Sequence, residues 1–308
     1  MATAIHQPKK RDTLRQREAR AGLLFVLPWI IGLLIFTGYP VIGTLYLSLT
    51  QYSIAEPPKW VGLDNFRTIF TNDPDFWPAV KNTAFYAIVS VPLKLMLALA
   101  LALLMNMGAR AIGAYRVIYY LPALVPPVAA SIAFILMFTP GIGPINELLG
   151  VFGITGPDWI RDPDWSIYTL IILSLWPLGV ETLVFLAGLK ESPQDVLDAA
   201  EVDGATKWRR LIGITIPLLS PMILFNLVIG IISSFQVFTQ ALVIGGINGD
   251  PLGSTLMLMV LIYRNAFRYF AMGYAAALSV ILFAAVMLLT LVVFRTARVW
   301  VHYEGGRS

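Results

Sequence analysis

Residues 192–221, SPQDVLDAAEVDGATKWRRLIGITIPLLSP, decide how the rest of this chain is read. The stretch is polar and charged over most of its length, yet it lies between two runs apolar enough to cross a membrane. Ser192-Pro193-Gln194-Asp195 predicts a helix start: a serine N-cap, proline at the first helical position and an acid three residues after the cap. Val196, Ala199, Ala200 and Val202 give this short helix an apolar side built largely of small residues. Asp203-Gly204 predicts its end, because glycine enters the left-handed conformation that a helix C-cap needs. Thr206 is placed to cap a second short helix, with Trp208, Leu211, Ile212 and Thr215 at helical spacing. Pro217 marks the start of the next apolar run. A small-faced helix, a glycine turn and a second helix on a membrane loop predict a docking knob for another protein.

The composition agrees with a membrane setting. Hydrophobic residues make up 57% of the 308 residues, charged residues 13%, and the mean hydropathy is +0.74. Charged residues approach about a quarter of a soluble domain, and here the apolar residues cluster in long runs. With no cysteine, disulfides, thiolate metal sites and cysteine catalysis are excluded. His6 and His302 stand near the termini, which leaves no internal histidine for a base or metal ligand.

Six spans are predicted, making an all-α transmembrane protein. They are Gly22–Leu49, Val80–Met107, Val117–Phe138, Tyr168–Leu189, Ile216–Gln240 and Ala271–Phe294. Residues 1–20 form a basic tail, 21–298 the membrane domain with the loop 190–217 inside it, and 299–308 a second tail. Pro122, Pro126 and Pro127 predict a kinked or partly unwound third span. Residues 256–270 predict an amphipathic interfacial helix or a short buried one. Of the 22 Lys and Arg, fifteen fall on the side of the 192–217 loop and both termini, six fall on the other, and Lys94 sits within a span. The positive-inside rule then places both termini and the loop in the cytoplasm. The same rule explains the net charge of +4 without nucleic acid.

No phosphate-binding loop of the Gly-x-x-x-x-Gly-Lys-(Ser/Thr) type is present, so any ATPase is a separate polypeptide. The serines have no histidine partner, and no catalytic constellation or metal site emerges. Charged residues at membrane depth are costly unless paired or hydrated. Glu181 and Lys94 both fall near the middle of their spans, which predicts an ion pair that fixes helix register or a wet cavity that both line. In the outer half of the fifth span, Asn226, Phe235, Gln236, Phe238 and Gln240 combine amides with aromatic rings. Amides serve hydroxyl pairs and rings cover the apolar face of a sugar; the same amides also serve interhelical hydrogen bonds. Gln236 and Gln240, four apart, are expected on one helical face. Trp176 on the fourth span joins this candidate path.

The central segment resembles the EAA loop of binding-protein-dependent ABC importer permeases. Asp198-Ala199-Ala200, Asp203-Gly204-Ala205 and Ile216-Pro217 match its pattern, with Asp198 one methylene shorter than the usual glutamate. The Asp-Gly-Ala form resembles the carbohydrate branch, the maltose and glycerol-3-phosphate type. Gly62-Leu63-Asp64-Asn65-Phe66 resembles a sugar-permease motif, Gly143-Pro144-Ile145-Asn146 a family motif, and the resemblance extends to Gly273-Tyr274-Ala275 at the start of the last span. The resemblance implies the type I importer permease fold, with Asp198, Ala199, Ala200, Asp203, Gly204 and Pro217 coupling to an ATPase. It implies a second, non-identical permease, two ATP-binding-cassette subunits carrying ATP and Mg, and an extracytoplasmic solute-binding protein. This chain would hold no cofactor and would sit in a prokaryotic cell membrane, moving a sugar or oligosaccharide. A glycerol-3-phosphate permease is the alternative within the family. A stand-alone secondary transporter is the alternative outside it, and that reading calls for an inverted repeat and coupling acids.

Overall fold

A computed structural model describes residues 14–106 and 112–302. The basic residues before Leu14, Arg110 in the expected inner turn and Arg307 lie outside that range. Helix α1 (Leu14–Leu33) passes through a π-helical turn at Leu34–Gly38 into α2 (Tyr39–Ser48). Strands β1 (Thr50–Ser53) and β2 (Glu56–Trp60) form an antiparallel hairpin, followed by α3 (Asp64–Thr71) and α4 (Phe76–Asn106). Then come α5 (Ile112–Leu124), α6 (Pro127–Phe138), α7 (Pro144–Val151), α8 (Pro163–Leu175) and α9 (Gly179–Glu191). The central loop holds α10 (Gln194–Val202) and α11 (Lys207–Arg210). It leads through a π turn at Leu211–Thr215 into α12 (Ile216–Leu218) and α13 (Ser220–Phe235). The chain closes with α14 (Thr239–Gly245), α15 (Leu258–Tyr263), a π turn at Arg264–Arg268 and α16 (Met272–Trp300).

Three helical runs, Glu18–Ser48, Phe76–Asn106 and Met272–Trp300, are long and apolar enough to cross a membrane unbroken. The other three crossings are bent pairs: α5 with α6 by 103°, α8 with α9 by 47°, and the 207–218 run with α13 by 66°. The first break follows from Pro126 and Pro127, as expected, but its angle turns the two halves nearly perpendicular. The fourth span corrects the sequence reading, which ran it straight from Tyr168 to Leu189. It begins at Pro163, capped by the Asp162 side chain, and breaks at Trp176-Pro177-Leu178. Pro177 has no N–H to donate and its ring obstructs the preceding turn. The fifth span is also corrected: its helix stops at Phe235, five residues short of Gln240, and restarts at Thr239. The last span runs on to Trp300.

Packing separates into two apolar clusters along the bundle. At the hairpin end Ile69, Phe76, Leu170, Met257, Leu261 and Leu278 are almost fully buried. At the opposite end Ala98 and Ala102 on α4 meet Phe185, Leu186 and Leu189 on α9 and Leu219. Small residues there allow the backbones to approach, which matters because lipid gives helices no hydrophobic drive to associate. Much of the rest is apolar and exposed, Phe25 at 88% for example, as a lipid- or partner-facing surface requires.

Polar contacts tie the loops at the hairpin end. Asn65 Nδ2 donates to the carbonyls of Ser48 at 2.8 Å and Thr50 at 2.9 Å, closing the C-terminal end of α2 onto the hairpin. Asn146 donates to Pro157 O and accepts from Trp159 Nε1, so the asparagines of both loop motifs are structural pins. Gly273 is required by close approach: a Cβ there would lie 2.0 Å from Thr50 O. Arg264, 9% exposed in its side chain, pairs with Asp75, and Tyr274 donates to Asp73. The segment expected at 256–270 is thus a short element largely buried through Ala266, while Phe267, Arg268, Tyr269 and Phe270 are exposed.

Candidate functional site

The breaks in the fourth and fifth spans meet at one polar cavity of about 250 Å³. α4 contributes Tyr86, Ser90 and Lys94; the break between α8 and α9 contributes Ser174, Pro177 and Glu181. α13 contributes Asn226, Gly230, Ser233 and Ser234, and the interruption after it Gln236, Phe238, Thr239 and Gln240. Unwound backbone at membrane depth is tolerated where it is buried in protein or lines a water-filled cavity. The break of the third span reaches the same region. A smaller cavity of about 130 Å³, lined by Pro122, Val125, Pro127 and Trp176, shares Pro177 and Gln240 with the first.

Lys94 Nζ lies 2.7 Å from Glu181 Oε1, with side chains 26% and 18% exposed, so the pair spans from α4 to α9 and also borders the cavity. The two charges are therefore paired with each other and both line the cavity. Glu181 stands in the first turn of α9, where the helix N-terminus favours a carboxylate. Asn226 Nδ2 reaches the Glu181 carbonyl at 3.4 Å, leaving its Oδ1 free of any hydrogen bond to another described residue. Gly230 faces Val91, and a Cβ there would stand 3.0 Å from Val91 Cγ1, so the wall is already at contact.

The expected residues divide accordingly. Lys94, Glu181, Asn226, Gln236, Phe238 and Gln240 come together in the cavity. Gln236 and Gln240 do so for a different reason than expected: they sit on either side of a helix break, not on one helical face. Trp176 lines the smaller cavity beside Gln240. Phe235 departs from the group. It borders an apolar groove with Val80, Ile88 and Leu288, because the last turn of α13 points it away from the polar side. Tyr86, Ser90 and Ser174 were missed; Ser90 and Tyr86 stand one and two helical turns before Lys94 and Ser174 three residues before Pro177, a spacing that offers a signal only once helix faces are known.

At the other end of the bundle, α10 and α11 form a two-helix hook. Its glycine turn is as expected: Gly204 has φ +76°, its N–H donates to Glu201 O, and Ala205 N–H donates to Ala200 O at 2.9 Å. That pair of bonds is the Schellman arrangement. Thr206 caps α11 through Arg209 N–H, and Arg210 pairs with Glu201 across the hook. The N-cap is corrected. α10 starts after Pro193, while the Ser192 hydroxyl donates back to Gly188 O and ends α9 instead. Asp198, Ala199, Asp203 and Gly204 are exposed, as are Val196, Val202 and Trp208, so nothing among the described residues covers the apolar side of the hook. Pro217 stands apart from these, in α12, where Ser220 Oγ donates to its carbonyl at 2.6 Å.

Residues 94–299 match the family described as binding-protein-dependent transport system inner membrane component. The chain belongs to that family. The permease is 42% identical over 300 residues to the probable ABC transporter permease protein YesP of Bacillus subtilis (strain 168), covering 96% of each. It is 32% identical over 290 residues to the trehalose/maltose transport system permease protein MalF of Thermococcus litoralis, covering 92% of the permease and 96% of the relative. A crystal structure of a bacterial alginate ABC transporter, in complex with alginate pentasaccharide-bound periplasmic protein, contains a chain that superposes with a TM-score of 0.80. Identity there is 25%, with coverage of 92% and 97%. The fold is therefore that of an ABC importer permease, in the inner membrane, serving a binding protein. The permease is a transport subunit and not itself an enzyme; the stand-alone secondary transporter is set aside.

Proposed function

We propose that the polar cavity is the path of a sugar or oligosaccharide handed over by an extracytoplasmic binding protein. The observation that carries this reading is the convergence of helix breaks on a polar-lined space, which a bundle built only to hold itself together has no reason to keep. Gln236, Gln240 and Asn226 offer amide donors and acceptors to sugar hydroxyls, and Phe238 and Trp176 offer faces to the apolar side of a ring. The trehalose/maltose and alginate relatives support a saccharide as cargo.

The hook is the ATPase-docking element, with Asp198, Ala199, Ala200, Asp203 and Gly204 at the contact and Pro217 at its return to the membrane. ATP and Mg belong to two partner ATP-binding-cassette subunits, and a second, non-identical permease completes the path. Closure of the cassettes on ATP moves both hooks, and the spans then open the cavity toward the loaded binding protein. Tagged purification in mild detergent tests this. A cassette protein, a second permease and a binding protein are expected together with this chain, and Ala200→Trp is expected to lose the cassettes while retaining membrane insertion. Transport by this chain alone in liposomes overturns the reading.

A further inference from the structure

We infer that the Lys94–Glu181 pair sets the charge preference of the path, holding it at zero so that uncharged hydroxylated rings are favoured where the pair stands. This deepens the functional reading above and rests on it.

Of the residues lining the cavity, two are charged, Lys94 and Glu181; the rest are amides, hydroxyls and apolar groups. The two are in contact at 2.7 Å and cancel each other. Lys94 taken alone would be an anion site, a fixed ammonium in a confined polar space. Bound to Glu181, it presents its remaining N–H donors without net charge. Glu181 spends Oε1 on the pair, while its Oε2 is buried and has no hydrogen-bond partner among the described residues. A buried carboxylate oxygen left without a donor is costly, so the charge of Glu181 depends on its one partner, Lys94. An ammonium donor and a carboxylate acceptor held side by side match two neighbouring hydroxyls of a sugar ring. A uronate or phosphate ester gains no net attraction there, because the carboxylate offsets the ammonium. Glu181 is held at the cavity by the first turn of α9, which begins two residues after Pro177.

The lack of cysteine in the chain provides a direct test. Ser233→Cys puts a thiol at an exposed position of the cavity lining. In vesicles carrying the assembled importer, its alkylation by an uncharged maleimide is followed by peptide mass spectrometry, with maltotriose or trigalacturonate as protectant. The protection constant for trigalacturonate relative to maltotriose is expected to rise on the order of tenfold in Glu181→Gln. It is expected to fall by a similar factor in Lys94→Gln, the size of one unpaired charge in a partly hydrated space. The double variant Lys94→Gln/Glu181→Gln and the swap Lys94→Glu/Glu181→Lys keep the balance at zero and should return the ratio to the wild-type value. Either single variant that assembles is a sufficient test, since each shifts the ratio in its own direction. Protection by both saccharides with one ratio across all variants overturns the inference alone. Protection by neither in any variant overturns the cavity as the path, and the inference with it.

Discussion

Gly204 offers a test of the hook in which conformation and bulk are separable. Its φ of +76° is a left-handed value, and a Cβ built on it meets nothing within 4 Å. Substitution there therefore costs backbone strain and creates no clash within the chain. For alanine that strain is about 1–2 kcal/mol; asparagine, which tolerates this region, pays less, and a β-branched residue pays more. On the docking proposed above, the free permease escapes the strain by unwinding an exposed hook, whereas a cassette subunit must be met in the formed shape. The strain is thus subtracted from association, and at about 1.4 kcal/mol per tenfold Gly204→Ala should weaken cassette binding roughly 5- to 30-fold. The expected order of affinity is Gly, Asn, Ala, Val. It would be measured by titrating detergent-purified permease assembly with the cassette subunit, with membrane yield as control. Because asparagine is bulkier than alanine, an order that follows side-chain volume, or equal affinities for Asn and Val, refutes the conformational account.

Three further outcomes follow from the geometry. Asn65→Asp removes both donors to Ser48 O and Thr50 O and sets a carboxylate against two carbonyls. At about 1 kcal/mol for each lost bond, and more for the added repulsion, its melting temperature in detergent should fall below that of Asn65→Ala; an equal or smaller fall contradicts the pinning role. Gly273→Ala places a methyl 2.0 Å from a backbone oxygen that has no rotamer to yield, so assembled complex should be largely lost, and normal yield would show that the α16–hairpin contact is looser than described. Pro177→Ala restores an N–H at the break of the fourth span, and uptake should fall while co-purification of partners persists; unchanged uptake would remove the break from the transport path.

The membrane class, six apolar crossings and the existence of the hook were legible in the sequence. These properties are local. A span needs a long apolar run, a glycine C-cap needs one residue with φ above zero, and Thr206 caps whatever helix follows it. The error at Ser192 was local as well, since a serine before a proline serves equally to end the previous helix or begin the next.

The cavity was a matter for tertiary structure. Glu181 and Lys94 were conspicuous as charges at membrane depth, but their 2.7 Å contact depends on how α4 packs along α9, which no stretch of either helix encodes. Gln236 and Gln240 were chosen for their chemistry and assigned to one helical face; the chain breaks between them, and they share a space because two helix ends converge there. Phe235, one residue from the cavity in sequence, faces an apolar groove instead. Periodicity reports which residues share a face only while a helix continues. Where helices end inside a membrane, the freed backbone groups must be met by neighbours from elsewhere in the chain, and only the packed structure decides which neighbours those are.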